Sequence, residues 1–184
     1  RLTLNIVPQS RLPKRVEDIC NSAAEAEVLR RWSQAAKGLV LVSGRSGSGK
    51  TTTSFCCLEE LARHRDRVIY TLEASVEFLL PHVEQVEVEL SDSRAVRDAF
   101  DAIFASDPDV LFVASSLSPE HQTTLCRHAL SAAEAGCLVF VQLDAVSTED
   151  ARGLFETAVA RTIDDQLVGI TYQELVRDAG SGKR

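Results

Sequence analysis

A chain of 184 residues, 45% hydrophobic and 26% charged, suits one sizeable α/β domain with enough apolar material for a full core. Its formal charge of −7 argues against general nucleic-acid binding, which draws most of its affinity from clustered Lys and Arg. No run of about eighteen apolar residues offers a membrane span, and no signal peptide is recognisable. The five cysteines (Cys20, Cys56, Cys57, Cys126, Cys137) lack paired C-x-x-C spacing, so they suggest free thiols in a reducing cytoplasm rather than a zinc site or a disulfide framework.

In chain order, the alternation Leu2, Leu4, Ile6 predicts an edge strand, which Pro8 and Pro13 break into extended linker. The chain starts at Arg1 and has no methionine, so a further domain is expected upstream, with residues 1–14 as its end and linker. Residues 15–184 are expected to be a nucleotide-binding domain cut short at its C-terminus. From Arg15 to Ala36 apolar residues recur at helical spacing (Val16, Ile19, Ala24, Val28, Leu29, Trp32), predicting one or two amphipathic helices. Trp32 reads as core or interface packing.

Strands and helices then alternate. Strands are predicted at Leu39–Ser43, Val68–Leu72, Val110–Val113 and Leu138–Leu143, and helices at Thr51–Arg65, Ser93–Ala105, Glu120–Ala135 and about Thr148–Arg161. Val86 to Leu90 reads as a short side strand, Leu167 to Tyr172 as a final strand or helix start, and Gly180 to Arg184 as a loop. This alternation specifies an α/β fold, a mostly parallel sheet with helices on both faces, whose ligands gather beyond the carboxyl ends of the strands.

Gly44 to Thr51 reads G-R-S-G-S-G-K-T between a predicted strand and a predicted helix, the context that a phosphate-binding loop requires. Glycines let successive backbone N–H groups turn toward one anion, which the helix N-terminus also attracts. Lys50 would reach the terminal phosphates, and the Thr51 hydroxyl would sit on a magnesium ion bridging phosphate oxygens. The candidate ATP-binding residues are therefore Gly44, Arg45, Ser46, Gly47, Ser48, Gly49, Lys50, Thr51 and Thr52, with Thr51 also the metal ligand.

A hydrolytic enzyme of this kind also needs an acid at a strand end and a group that orients water. Glu73 and Glu77 follow the second predicted strand, Asp144 follows the fourth, and the third ends in Ala114, Ser115 and Ser116. Asp107 and Asp109 lie at the opposite end of that third strand and read as loop and cap residues around Pro108. Gln142 can reach the pocket or make a structural hydrogen bond. The histidines (His64, His82, His121, His128) follow no strand, so surface roles are expected. A nucleoside kinase would share the loop but needs an arginine-bearing lid, whereas Arg63, Arg65 and Arg67 read as a solvated turn.

The chain resembles, over nearly its whole length, the ATPase domain of type II secretion and type IV pilus motors. I-V-P-Q-S-R-L-P (Ile6 to Pro13) resembles that family's interdomain linker, and Gly38 to Thr53 its phosphate loop. T-L-E-A-S-V-E-F (Thr71 to Phe78) resembles its aspartate box, which implies that Glu77 is the catalytic glutamate activating water. Asp107 to Ser118 resembles its Walker B segment, Gly136 to Asp144 its histidine box, and Val168 to Val176 its segment G-V-I-x-Q-x-L-L. The resemblance implies a RecA-like domain using ATP and Mg2+. It further implies a hexameric ring of the full-length protein, in the cytoplasm against inner-membrane platform, pilus or secretion components, without insertion into the bilayer.

The departures fall on polar positions. Ala74 replaces the aspartate-box Asp, Ser115 the Walker B Glu, Leu117 the Arg two residues on, and Cys137 and Asp144 the two histidines. Asp101 and Ala105 stand where the family carries paired arginines. One such loss can cost on the order of a hundredfold in rate. Three readings follow: an ATP-binding subunit with weak or lost hydrolysis, an active ATPase using Glu77, Glu73 or Asp144, or an assembly protein that has abandoned nucleotide. Without its upstream domain the chain is expected to be monomeric or weakly oligomeric.

Overall fold

A computed structural model describes residues 15–63, 65–114 and 119–175. The predicted Leu2–Ile6 strand, the Pro8–Pro13 linker, His64, Ser115 to Ser118 and the terminal loop lie outside the described residues, as does the side chain of His121. Helices α1 (Ala23–Ser33), α2 (Lys50–Ala62), α3 (Ser93–Phe104), α4 (Pro119–Ala135) and α5 (Thr148–Val159) alternate with strands β1 (Gly38–Gly44), β2 (Ile69–Glu73), β3 (Glu84–Glu87), β4 (Val110–Val113), β5 (Leu138–Asp144) and β6 (Leu167–Gln173).

The strands form one sheet in the order β3-β2-β4-β5-β1-β6, and every adjacent pair is parallel. β1 and β5 are buried along almost their whole length, as strands covered on both faces must be. Because successive side chains point to opposite faces, each strand serves two cores. Leu39, Leu41, Val139 and Val141 pack with Phe100 of α3, Leu125 of α4 and Phe155 of α5. Val40, Val42, Leu138 and Phe140 pack on the other face with Leu29 of α1 and Phe55 and Leu58 of α2.

Local chemistry sets the helix starts. Ser22 Oγ accepts the Glu25 N–H while Glu25 accepts that of Asn21. Asp92 accepts from Arg94 and Ala95. Ser147 accepts from Asp150, whose carboxylate accepts from Val146. Each satisfies amides that a helix N-terminus leaves without internal partners.

Four sequence expectations need correction. α2 ends at Ala62, three residues short of Arg65, where R-H-R-D no longer supplies an apolar face. α5 stops at Val159, with Ala160 in the left-handed conformation at φ 58°. β3 begins at Glu84 and ends at Glu87, shifted toward the N-terminus of the expected Val86–Leu90, because Tyr70 to Glu73 of β2 pair with Glu84 to Glu87. His128 is half-buried rather than freely at the surface: its ring stacks on Phe100 with centroids 4.6 Å apart, and burial lowers its pKa. Leu167 to Tyr172 is resolved as strand, extending to Gln173.

Trp32 packs across the sheet edge onto β6. A Cβ on Gly169 would lie 2.1 Å from the indole Cε2, so only glycine allows this approach. Gly169→Ala is expected to lower stability by roughly 1–3 kcal/mol through overpacking, read as a reduced midpoint in urea. Cys56, Cys57 and Cys126 are buried, and burial pushes each thiol up to about 12. Since the thiolate is the nucleophile, these three are expected to resist a disulfide reagent at pH 8 until denaturant is added. Rapid native-state labelling of all of them would contradict that.

Candidate functional site

The sheet order places β1, which leads into the glycine-rich loop, between β5 and β6. Gly44 at the end of β1 is in register with Asp144 of β5 and Gln173 of β6, so three strand ends converge under the loop. The loop turns through positive φ at Gly44 (152°), Gly47 (76°) and Gly49 (91°). At Gly44 the requirement is also spatial: a Cβ would sit 2.4 Å from the Gln173 carbonyl oxygen and 2.5 Å from Ser48 Oγ. The crest, Arg45 to Gly47, is exposed. α2 begins directly behind it at Lys50.

Neighbouring strands brace the loop. Gln173 Nε2 donates to the Ser48 carbonyl at 2.9 Å, and Ser43 Oγ donates to the Thr171 carbonyl at 2.6 Å. Lys50 is 8% exposed, and its ammonium meets the carbonyls of Gly44 at 3.0 Å and Arg45 at 2.9 Å and Asp144 Oδ1 at 2.7 Å. Thus Asp144, reached in the sequence only as a strand-end residue, touches the loop lysine. Ser48 Oγ is buried without a hydrogen-bond partner, a group that a buried site ordinarily satisfies.

A cavity of about 680 Å3 adjoins the loop. Its walls come from three separate segments: Asp18 to Asn21 with α1 residues Val28, Leu29 and Trp32; Ser48, Gly49, Thr52 and Thr53; and Thr171 to Leu175 after β6. Its volume lies in the range of small-molecule sites. With an exposed glycine crest, an adjoining helix N-terminus, a buried lysine and an orphaned hydroxyl, the loop fits a nucleotide's phosphates, and the cavity can take the nucleoside. The described residues contain no cluster of three or more His, Cys, Asp or Glu side chains suited to a metal, and Thr51, expected as the magnesium ligand, lies in the first turn of α2.

The other strand ends supply less. Glu73 is 3% exposed. It accepts hydrogen bonds from Thr71 Oγ1 at 2.6 Å and Gln85 Nε2 at 3.1 Å. Burial raises its pKa, against those hydrogen bonds and with help from Glu77 and Glu87. Glu77 is exposed in the loop that follows. β2 stands three strands from β1, about 14 Å at ordinary strand spacing. β4 ends at Val113, paired to Leu72 and Val141, and the Ala114 amide still donates to the Leu72 carbonyl at 3.0 Å. At the opposite edge, Asp109 caps the Val68 N–H at 2.7 Å, consistent with a structural role. Gln142 is held by Ser54 at 3.4 Å inside the core, and Cys137 Sγ contacts the Pro108 carbonyl.

A family model described as "Type II/IV secretion system protein" matches residues 1–183. The chain belongs to that family. It is 32% identical over 169 residues to the "Type IV pilus retractation ATPase PilT" of Pseudomonas aeruginosa, which covers 85% of this chain and 48% of that protein. It is 30% identical over 186 residues to a "Putative type II secretion system protein E" of Escherichia coli, covering 96% of this chain and 35% of that protein. Among solved structures, the pilus retraction motor PilT with bound ADP superposes with a TM-score of 0.74 at 27% identity, covering 95% of this chain and 51% of that one. The fold is therefore RecA-like, and the relatives include a type IV pilus retraction ATPase and a type II secretion system protein E. The chain spans about half the length of these secretion-family relatives, or less.

Proposed function

We propose that this chain is the nucleotide-binding part of a motor subunit in a type II secretion or type IV pilus system, one that binds ATP with Mg2+ while hydrolysing it weakly or not at all. The observation that carries this reading is an asymmetry across the sheet. At β1 the glycine turns, a buried Lys50 and a helix starting at that lysine support phosphate binding. At β4 no acid follows the strand, which continues as Ala114, Ser115 and Ser116.

In this reading the loop amides and Lys50 hold the β- and γ-phosphates, Thr51 ligates magnesium and Thr52 lines the nucleoside cavity. Bound Mg-ATP would supply the terminal phosphoryl group and a cation to offset its charge. The chain's part is to fix that group in place. Glu77, on its exposed loop, is the residue that activates water if turnover occurs, with Glu73 disfavoured by its burial and its bonds to Thr71 and Gln85. The upstream domain and linker, the hexameric ring, the cytoplasmic location and the docking on an inner-membrane platform belong to the same proposal, as what the family resemblance implies.

Calorimetric titration with Mg-ATP and steady-state phosphate release test it together. Binding with little phosphate release is expected. Vigorous release abolished by Glu77→Gln would replace this reading with an active ATPase, and absence of binding at millimolar Mg-ATP would replace it with an assembly protein that no longer uses nucleotide.

A further inference from the structure

We propose that Asp144 is a specificity-determining residue that biases the phosphate loop toward nucleoside diphosphates over triphosphates by standing on Lys50 as a resident carboxylate. This rests on the nucleotide reading of the loop and extends it to which nucleotide is held. An ammonium group has three protons to donate. On Lys50 all three have acceptors within 3.0 Å: the Gly44 carbonyl, the Arg45 carbonyl and Asp144 Oδ1. The two carbonyls belong to the loop itself, so the carboxylate holds the one position that an incoming phosphate oxygen can take.

The placement is built into the sheet. Asp144 is in register with Gly44 on adjacent parallel strands, and the Ala145 amide donates to the Gly44 carbonyl at 3.4 Å, which fixes the backbone beneath the carboxylate. The two partners differ in freedom. The Lys50 side chain is 9% exposed and the Asp144 side chain 48%, so the lysine stays while the carboxylate can turn into solvent. Turning does not remove the charge from the rim of the site. A diphosphate brings only its β-phosphate from the cradle of loop amides to Lys50. A triphosphate adds a γ-phosphate beyond it, at the end of β5, against a like charge that is screened only in part near a protein surface.

The test is calorimetry with ATP and ADP, each with and without magnesium, on the wild-type protein and on Asp144→Asn and Asp144→Ala, with thermal melts confirming that each is folded. The wild type is expected to bind ADP at least as tightly as ATP. Either variant is expected to gain about tenfold in ATP affinity, a change of 1.4 kcal/mol, and less than about threefold for ADP, with or without the metal. Equal gains for both nucleotides, or no gain, overturn the inference while leaving nucleotide binding intact. A loss of ATP affinity confined to magnesium makes Asp144 a metal ligand and also overturns it. A wild-type preference for ATP overturns it even if both variants fail to fold. Binding of neither nucleotide by any of the three proteins overturns this inference and the reading beneath it together.

Discussion

Lys50→Ala is expected to weaken Mg-ATP binding on the order of a hundredfold, the worth of a charge-assisted contact of a few kcal/mol, while leaving the protein folded. The two effects separate because of where the lysine's partners lie. Its bonds to Gly44 and Arg45 go to loop carbonyls, and Asp144, left behind, is half exposed and can be hydrated. The stability loss should therefore stay modest for a buried side chain, about 1–2 kcal/mol. Calorimetry and a urea titration on the same preparation check both halves. Undiminished binding would mean that the loop does not hold nucleotide through its lysine, whereas a collapse in stability would make Lys50 chiefly a structural tie between β1 and β5.

Phe140→Ala is expected to have the larger effect on stability. Phe140 lies on β5, which is flanked by β1 and β4, and is fully buried in the core that packs against α1 and α2. Its register partners are Val40 and Phe112. Removing the ring leaves a cavity that strands bonded on both sides cannot close, at a cost of about 3–5 kcal/mol. Typical domains have about 5–15 kcal/mol in all. At about 2–4 °C per kcal/mol for a domain of this size, the melting temperature should fall by roughly 10 °C. A loss below about 1 kcal/mol would show that the region repacks freely and that the sheet is less rigid than its burial implies.

The central strands were legible because they are buried on both faces. Runs such as Leu39 to Val42 and Leu138 to Val141 have no polar interruption, and a continuous apolar run between turn signals admits few alternatives. The edges were harder. β6 is only half buried along its length, so its pattern left strand and helix start both open. In β3 the alternation of Glu84 to Leu90 supports more than one register, and pairing with β2 selects Glu84–Glu87. Of the site, the phosphate loop could be read directly, since its requirements are local. The Lys50–Asp144 contact could not, because it joins the first residue of α2 to the last of β5 and depends on strand order. The cavity was equally hidden, because its three walls are distant in sequence and only the packing of α1 beside β6 brings them together.

That packing gives the protein an optical property. Trp32 is its single tryptophan, wedged onto Gly169 and forming part of the wall of the cavity proposed for the nucleoside. The indole's emission therefore has one origin, at the junction of the segment before β1 and the last strand of the sheet. Entry of a base would change its surroundings directly. Filling of that cavity can be followed by intrinsic fluorescence, without label or mutation.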